Sequence, residues 1–183
     1  MIYDPVHIIQ KFNKIIELIE TYRIISSFPV SNAKICKNAK QIFSPPSISL
    51  SDAQWEDFDA TKTLDLGITK DDWFAFQGDI ILPQEILEQN DILKKITFSI
   101  NKNYFVRAWA DDSPAGPEGR CWLNNVPLTS HDSFHDGTFS IDIQNSDENN
   151  SHHFEAIIFT AHCSSHHTLT KFGVTTIHRD TEI

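Results

Sequence analysis

From about residue 70 onward, apolar side chains recur at every second position in short runs, and turn residues separate one run from the next. The run "TFSIDI" alternates strictly, and "DDWFAFQGDIILP" alternates from Trp73 to Leu82. "KKITFSINKNYFVRAWA" offers two strands, Ile96–Ile100 and Phe105–Trp109, joined by a polar turn at Asn101–Asn103. In "GRCWLNNVPL" an asparagine pair separates two runs, and asparagine tolerates the positive φ that a two-residue hairpin requires. "HHFEAIIFTAHC" and "FGVTTIHRDTEI" complete the set. A period of two sends successive side chains to opposite faces, so each strand has an apolar face that needs a second layer to cover it. Strands spaced about ten residues apart with turns between them predict a mainly β chain built as an antiparallel β-sandwich.

The N-terminal stretch has another period. In residues 5–26, Ile8, Ile9, Phe12, Ile15, Ile16, Ile19 and Tyr22 recur at steps of three and four, which predicts an amphipathic helix. Asp4 suits its cap and Pro5 its first turn. Its apolar face is wide, so Val6–Ile25 is expected to dock on the sandwich or on a partner. Residues 26–54, with Pro29, Pro45 and Pro46 and no clear period, read as an irregular connection that crosses the surface in extended segments. The expected organisation is a helix and lead-in over residues 1–30 and a sandwich over 31–183, forming one structural unit.

Charge narrows the partners. Fifteen basic against 25 acidic residues give a net charge of −10, which disfavours nucleic acid and anionic membrane alike. No stretch approaches the roughly 20 apolar residues of a membrane span, and the first residues do not form a secretory signal. The three cysteines, Cys36, Cys121 and Cys163, are odd in number and widely spaced. They are expected as buried thiols in a reduced, cytoplasmic setting.

Several kinds of chemistry can be weighed from the residues. The stretch "GRCWLNNVPLTSHDSFHDGTFSIDI", Gly119–Ile143, holds His131 and His135 four residues apart. Asp132, Ser133 and Gly137 argue against a helix there, and on a strand such residues lie about 13 Å apart, too far for one ion. No metal site is assigned. The other histidines sit in polar stretches typical of loops and edges. Asp111, Asp112 and Glu118 are the carboxylates best placed for a glycosidase pair, but acids in turns ordinarily serve the backbone and solvent, and no catalytic residue is assigned. No Gly-x-Ser-x-Gly elbow occurs, and with six glycines in the chain no phosphate-cradling loop is present. Tryptophans in a sandwich more often fill the core than stack on sugars. If a shallow sugar site exists, Trp109, Asp111, Asn124 and His131 near strand ends are its candidates.

Read in order, four pieces form a pattern: the helix followed by "FPV"; "QWEDFDATKTLDLGITKDDWFAFQGDIILPQEI"; "YFVRAWADDSPAGPEGRCWLNNVPLTSHDSFHD"; and "TKFGVTTIHRDTEI". Together they resemble the region ahead of the catalytic domain in family 38 glycoside hydrolases, the retaining α-mannosidases. The hairpin here is Asn124-Asn125 where that family usually has Asn-Gly, and the family's tryptophan–glycine pair near "DATKTLDLG" is missing. The resemblance implies a jelly-roll or galactose-binding-like sandwich behind a helix. It implies an accessory domain that supports a catalytic domain of the same polypeptide and its oligomer assembly. It implies no cofactor in this chain, since zinc and the nucleophile belong to the catalytic domain, so none of those residues carries over. A mannoside is the ligand such a domain would meet. The competing expectation is a carbohydrate-binding β-sandwich acting on its own.

Overall fold

The computed structural model describes residues 11–12, 14–16, 18–19, 24–69, 71–89, 91–103, 118–131, 138–142, 151–160 and 165–178. These form eleven strands in two antiparallel sheets. The first sheet contains β1 (Ile24–Pro29), β4 (Leu64–Thr69), β6 (Ile92–Asn103), β9 (Thr138–Asp142) and β11 (Ser165–His178). Its order is β1-β11-β6-β9, and β4 shares with β1 the flank of the long β11. The second sheet runs β3 (Glu56–Asp57), β2 (Ser31–Ala39), β5 (Trp73–Ile81), β10 (Ser151–Phe159), β7 (Glu118–Leu123), β8 (Val126–His131). Every strand pair is antiparallel. Two short helices, α1 (Pro46–Ser49) and α2 (Gln84–Leu87), and the helical residues 11–12, 14–16 and 18–19 complete the described elements.

Alternation supplies the core. Phe74, Phe76 and Ile80 of β5, Ile96, Phe98 and Ile100 of β6, and Phe154, Ala156 and Ile158 of β10 are buried in one cluster with Phe172 and Val174 of β11. Phe98 of the first sheet meets Phe76 and Phe154 of the second with ring centroids 5.2 and 6.0 Å apart. Edge-to-face arrangements such as Phe76–Phe98 and Phe98–Phe172 favour the aromatic quadrupoles. The chain is therefore a mainly β, antiparallel sandwich. The asparagine hairpin forms as the sequence predicts, with Asn124 at φ 50° and Asn125 at φ 66° between β7 and β8.

A second cluster lies on the opposite face of the six-stranded sheet. Cys36, Ala75, Trp122 and Ile157 are covered there by Ile42 and Leu50, with Ala53 and Trp55 packed alongside. The covering strap, residues 40–55, includes α1. This is why β10 is buried on both faces. Its Glu155, fully buried, accepts hydrogen bonds from the Ser47 backbone N–H at 2.6 Å and from Ser47 Oγ at 3.1 Å. A buried carboxylate is tolerable only with such donors, and the two bonds fasten the strap to the sheet.

Three expectations are corrected. The predicted helix does not extend to residue 26, because Ile24–Pro29 form β1 against β11. That strand lies within the range assigned to helix and lead-in. The extended segments expected over residues 26–54 are not irregular but paired strand, the end of β1 and all of β2, followed by α1. Their period was hidden by register breaks at Ser31/Lys34 and Cys36/Ala39. Asn101–Asn103 do not turn but continue β6, where Asn101, Lys102 and Asn103 pair with Thr168, His167 and His166. A long antiparallel partner outweighs local turn preference. At the N-terminus the helical positions Phe12, Ile15, Ile16 and Ile19 are each more than half exposed. The strand expected at Phe105–Trp109 lies outside the described residues. Cys36 and Cys121 are buried and in no disulfide, and Cys163 is outside the described residues.

Candidate functional site

The outer face of the six-stranded sheet carries the candidate chemistry, and strand register arranges it in rows. Phe159 of β10 pairs with Trp73 of β5 and Glu118 of β7. Ile157 pairs with Ala75 and Arg120, and Glu155 with Gln77 and Trp122. His153 pairs with Asp79. The strap covers Ala75, Ile157 and Trp122 in the two middle rows and leaves a hollow at each end. From Phe159 to His153 is six residues, about 20 Å along the strand.

The first hollow, about 310 Å³, is lined by Trp73 and Phe159 with Gln41, Phe43, Glu118 and Arg120 around them. The Trp73 and Phe159 rings are 4.9 Å apart at their centroids and tilted by 39°. Phe43, on the strap, is largely exposed, and the Arg120 guanidinium sits over its ring at 5.1 Å. A further hollow of about 270 Å³ shares Phe43, Arg120 and Ser130 and reaches Pro127 and Leu128 of the hairpin. This end of the sheet combines flat apolar rings with a carboxylate, a guanidinium and an amide. Such a set can cover the C–H face of a ring while binding its hydroxyls.

The second hollow, about 600 Å³, is polar and is lined by Asn32, Lys34, Asp57, Gln77, Asp79 and His153, with Phe58 behind them. Asp79 accepts a hydrogen bond from the Asn32 amide at 2.8 Å and lies 2.8 Å from His153 Nδ1. Partial burial alone would raise the Asp79 carboxyl. The hydrogen bonds from Asn32 and His153, with the charges of His153 and Lys34 nearby, outweigh it and hold the carboxyl below its ordinary value of 3.8. A group held down in this way stabilises the fold fully above that ordinary value, and the stabilisation is lost as pH falls through the folded value. Wild type should therefore lose more stability than Asp79→Asn between about pH 5 and about pH 2. Urea unfolding of both proteins across that range measures it, and parallel curves would refute the assignment.

The sequence candidates do not come together. Asn124 sits in the β7–β8 turn, whereas His131 pairs with Gly119 at the far end of the same hairpin, about 17 Å away by strand rise. Asn124 ties the turn to β10: its Oδ1 accepts from the His153 N–H at 2.8 Å, and its own N–H donates to the His153 carbonyl at 2.8 Å. That is a structural duty. His131 lies by its backbone at the Glu118 end, next to the first hollow. Trp109, Asp111, Asp112 and His135 are outside the described residues. Glu118 is exposed and lines the aromatic hollow. Among the described residues, no three His, Cys, Asp or Glu side chains converge as a metal site would require. No described helix is long and apolar enough to cross a membrane.

Sequence reasoning missed Trp73 and Phe159, yet a signal existed. Trp73 shares its parity with Ala75, Gln77 and Asp79, opposite to the core residues Phe74 and Phe76. Of the other tryptophans, Trp122 is buried under the strap and Trp55 packs beside it.

The fold and these hollows define an antiparallel β-sandwich with a strapped outer face and open ends. No protein-family model matches the chain, and no curated protein matches it. Among solved structures, a protein assigned as a beta-galactosidase from Bacteroides fragilis is similar over 80% of this chain and 23% of its own, at 9% identity and a TM-score of 0.43. TmCBM61, solved with beta-1,4-galactotriose, is similar over 87% of this chain and 92% of its own, at 9% identity and a TM-score of 0.30. A CBM51-2 and INT domain structure from Clostridium perfringens ZmpB, solved with GlcNAc, is similar over 83% of this chain and 29% of its own, at 10% identity and a TM-score of 0.29. At such identities and scores these likenesses assign neither a fold family nor a ligand. The chain spans about a quarter of the length of the first.

Proposed function

We propose that this chain is a carbohydrate-binding β-sandwich whose ligand lies in the Trp73 hollow. The observation that carries the reading is the half-buried Trp73–Phe159 pair opening beside Glu118, Gln41 and Arg120 on a rigid sheet. The rings offer a sugar its apolar contact, and the three polar groups offer donors and acceptors for its hydroxyls. Sheet residues hold that geometry more firmly than loop residues would. The role needs binding without turnover.

Calorimetric titration with mannobiose, cellobiose and galactobiose tests it. At least one of them should bind, and Trp73→Ala should weaken that binding about tenfold or more, equivalent to about 1.4 kcal/mol. Glu118→Gln, an exposed change that leaves the packing alone, should weaken it as well. Affinity for none of the three, or affinity indifferent to both variants, would end the proposal.

The more particular reading is an accessory domain of a family 38 α-mannosidase, with its own catalytic domain or a second copy as partner. It rests on the motif resemblance, and the uncovered apolar positions Phe12, Ile15, Ile16 and Ile19 favour it, because they offer a surface to another body. The same titration separates the two, since an accessory scaffold requires no sugar affinity.

A further inference from the structure

We infer that the polar hollow around Asp79 is a second ligand site, independent of the Trp73 hollow, and that it takes a vicinal pair of hydroxyls on a neutral sugar. The argument begins with the backbone. The β2–β5 ladder breaks between Ser31 and Lys34, and within the break Asn32 adopts a left-handed φ of 50°. Such breaks re-aim side chains, and a non-glycine residue at positive φ costs energy that the surroundings must hold. Here the distortion places the Asn32 amide on Asp79 Oδ2, while His153 Nδ1 meets Oδ1 from the other side. The carboxylate is thus clamped in one orientation at the floor of an open hollow.

A carboxylate has about four acceptor positions, so the two bonds leave about two for a ligand. Gln77 stands two residues away on the same face of β5 and adds an amide donor and acceptor. Lys34 and Asp57, 3.8 Å apart, close the opposite wall with one charge of each sign. This mixture selects its ligand by exclusion. Lys34 disfavours a cation or an amine. Asp79 and Asp57 disfavour a phosphate or a uronate. A neutral hydroxyl pair can donate to Asp79 and accept from Gln77 or Lys34 without burying an unpaired charge.

Amide-resolved NMR titration of the whole chain with glucose, galactose and mannose tests the site. With at least one sugar, the amides of Asn32, Gln77, Asp79 and His153 should shift saturably, and the shifts should persist in Trp73→Ala. Gln77→Ala and Asp79→Asn should each weaken that response about tenfold. If Asp79→Asn does not fold, Gln77→Ala carries the test alone. Four unmoved amides with all three sugars, shifts lost in Trp73→Ala, or shifts indifferent to Gln77→Ala would overturn the inference. The Trp73 indole N–H reports the first hollow separately, so failure at one site is distinguishable from failure at the other.

Discussion

Phe98→Ala should cost about 3–5 kcal/mol of folding stability, as large-to-small aromatic changes in a packed core do. Phe98 is fully buried and is where the two sheets meet: its ring touches Phe76 and Phe154 across the sandwich and Phe172 beside it. Truncation removes contacts to both layers at once, and rigid strands on each side cannot collapse into the space. A domain of ordinary stability, about 5–15 kcal/mol, would keep only part of it. Phe98→Leu, which retains most of the volume, should cost less, about 1–2 kcal/mol. Urea unfolding followed by tryptophan fluorescence gives both values. A loss below about 1 kcal/mol for the alanine variant would mean that the sheets do not close on this ring.

Ser47→Pro should cost about 3 kcal/mol or more and should free the strap. The substitution removes both donors to Glu155, the backbone N–H and the hydroxyl, and leaves a fully buried carboxylate without them. Hydrogen bonds to a charged group are worth about 1.5–3 kcal/mol each. Proline at 47 also disfavours the helical conformation of Pro46 before it, which adds to the loss. The local readout is thiol labelling mapped by peptide. Cys36 lies in the cluster beneath the strap, whereas Cys121 lies in the core between the sheets. Cys36 should label faster in the variant, and by a larger factor than Cys121. Unchanged labelling of Cys36 would show that Ser47 does not hold the strap.

The strands most legible in the sequence were those with a clean period of two and a turn at each end. The β5, β7–β8 and β9 segments, and the Asn124-Asn125 hairpin, all satisfy that condition. Illegible strands had a different problem. In β2 the register breaks shift the apolar positions off parity, so "SNAKICKNA" has no visible period. In β6 the tail Asn101–Asn103 has turn composition, and only its pairing with β11 keeps it extended. The site was less legible still. Asn124 and His131 are seven residues apart and their backbones stand at opposite ends of one hairpin. Trp73 and Phe159, far apart in the chain, are direct neighbours across a ladder.

By itself the sequence determined that this chain buries one face of many short strands, and hence that it forms two layers. Local alternation and the positive φ that asparagine tolerates are properties of neighbouring residues, and they need no knowledge of partners. Only the tertiary structure decided which outer face would be strapped, where the strap ends, and which side chains remain open to a ligand. Those outcomes depend on strand order, on register, and on a buried glutamate meeting a serine 108 positions away, contacts whose free energy exists only once the distant segments are brought together.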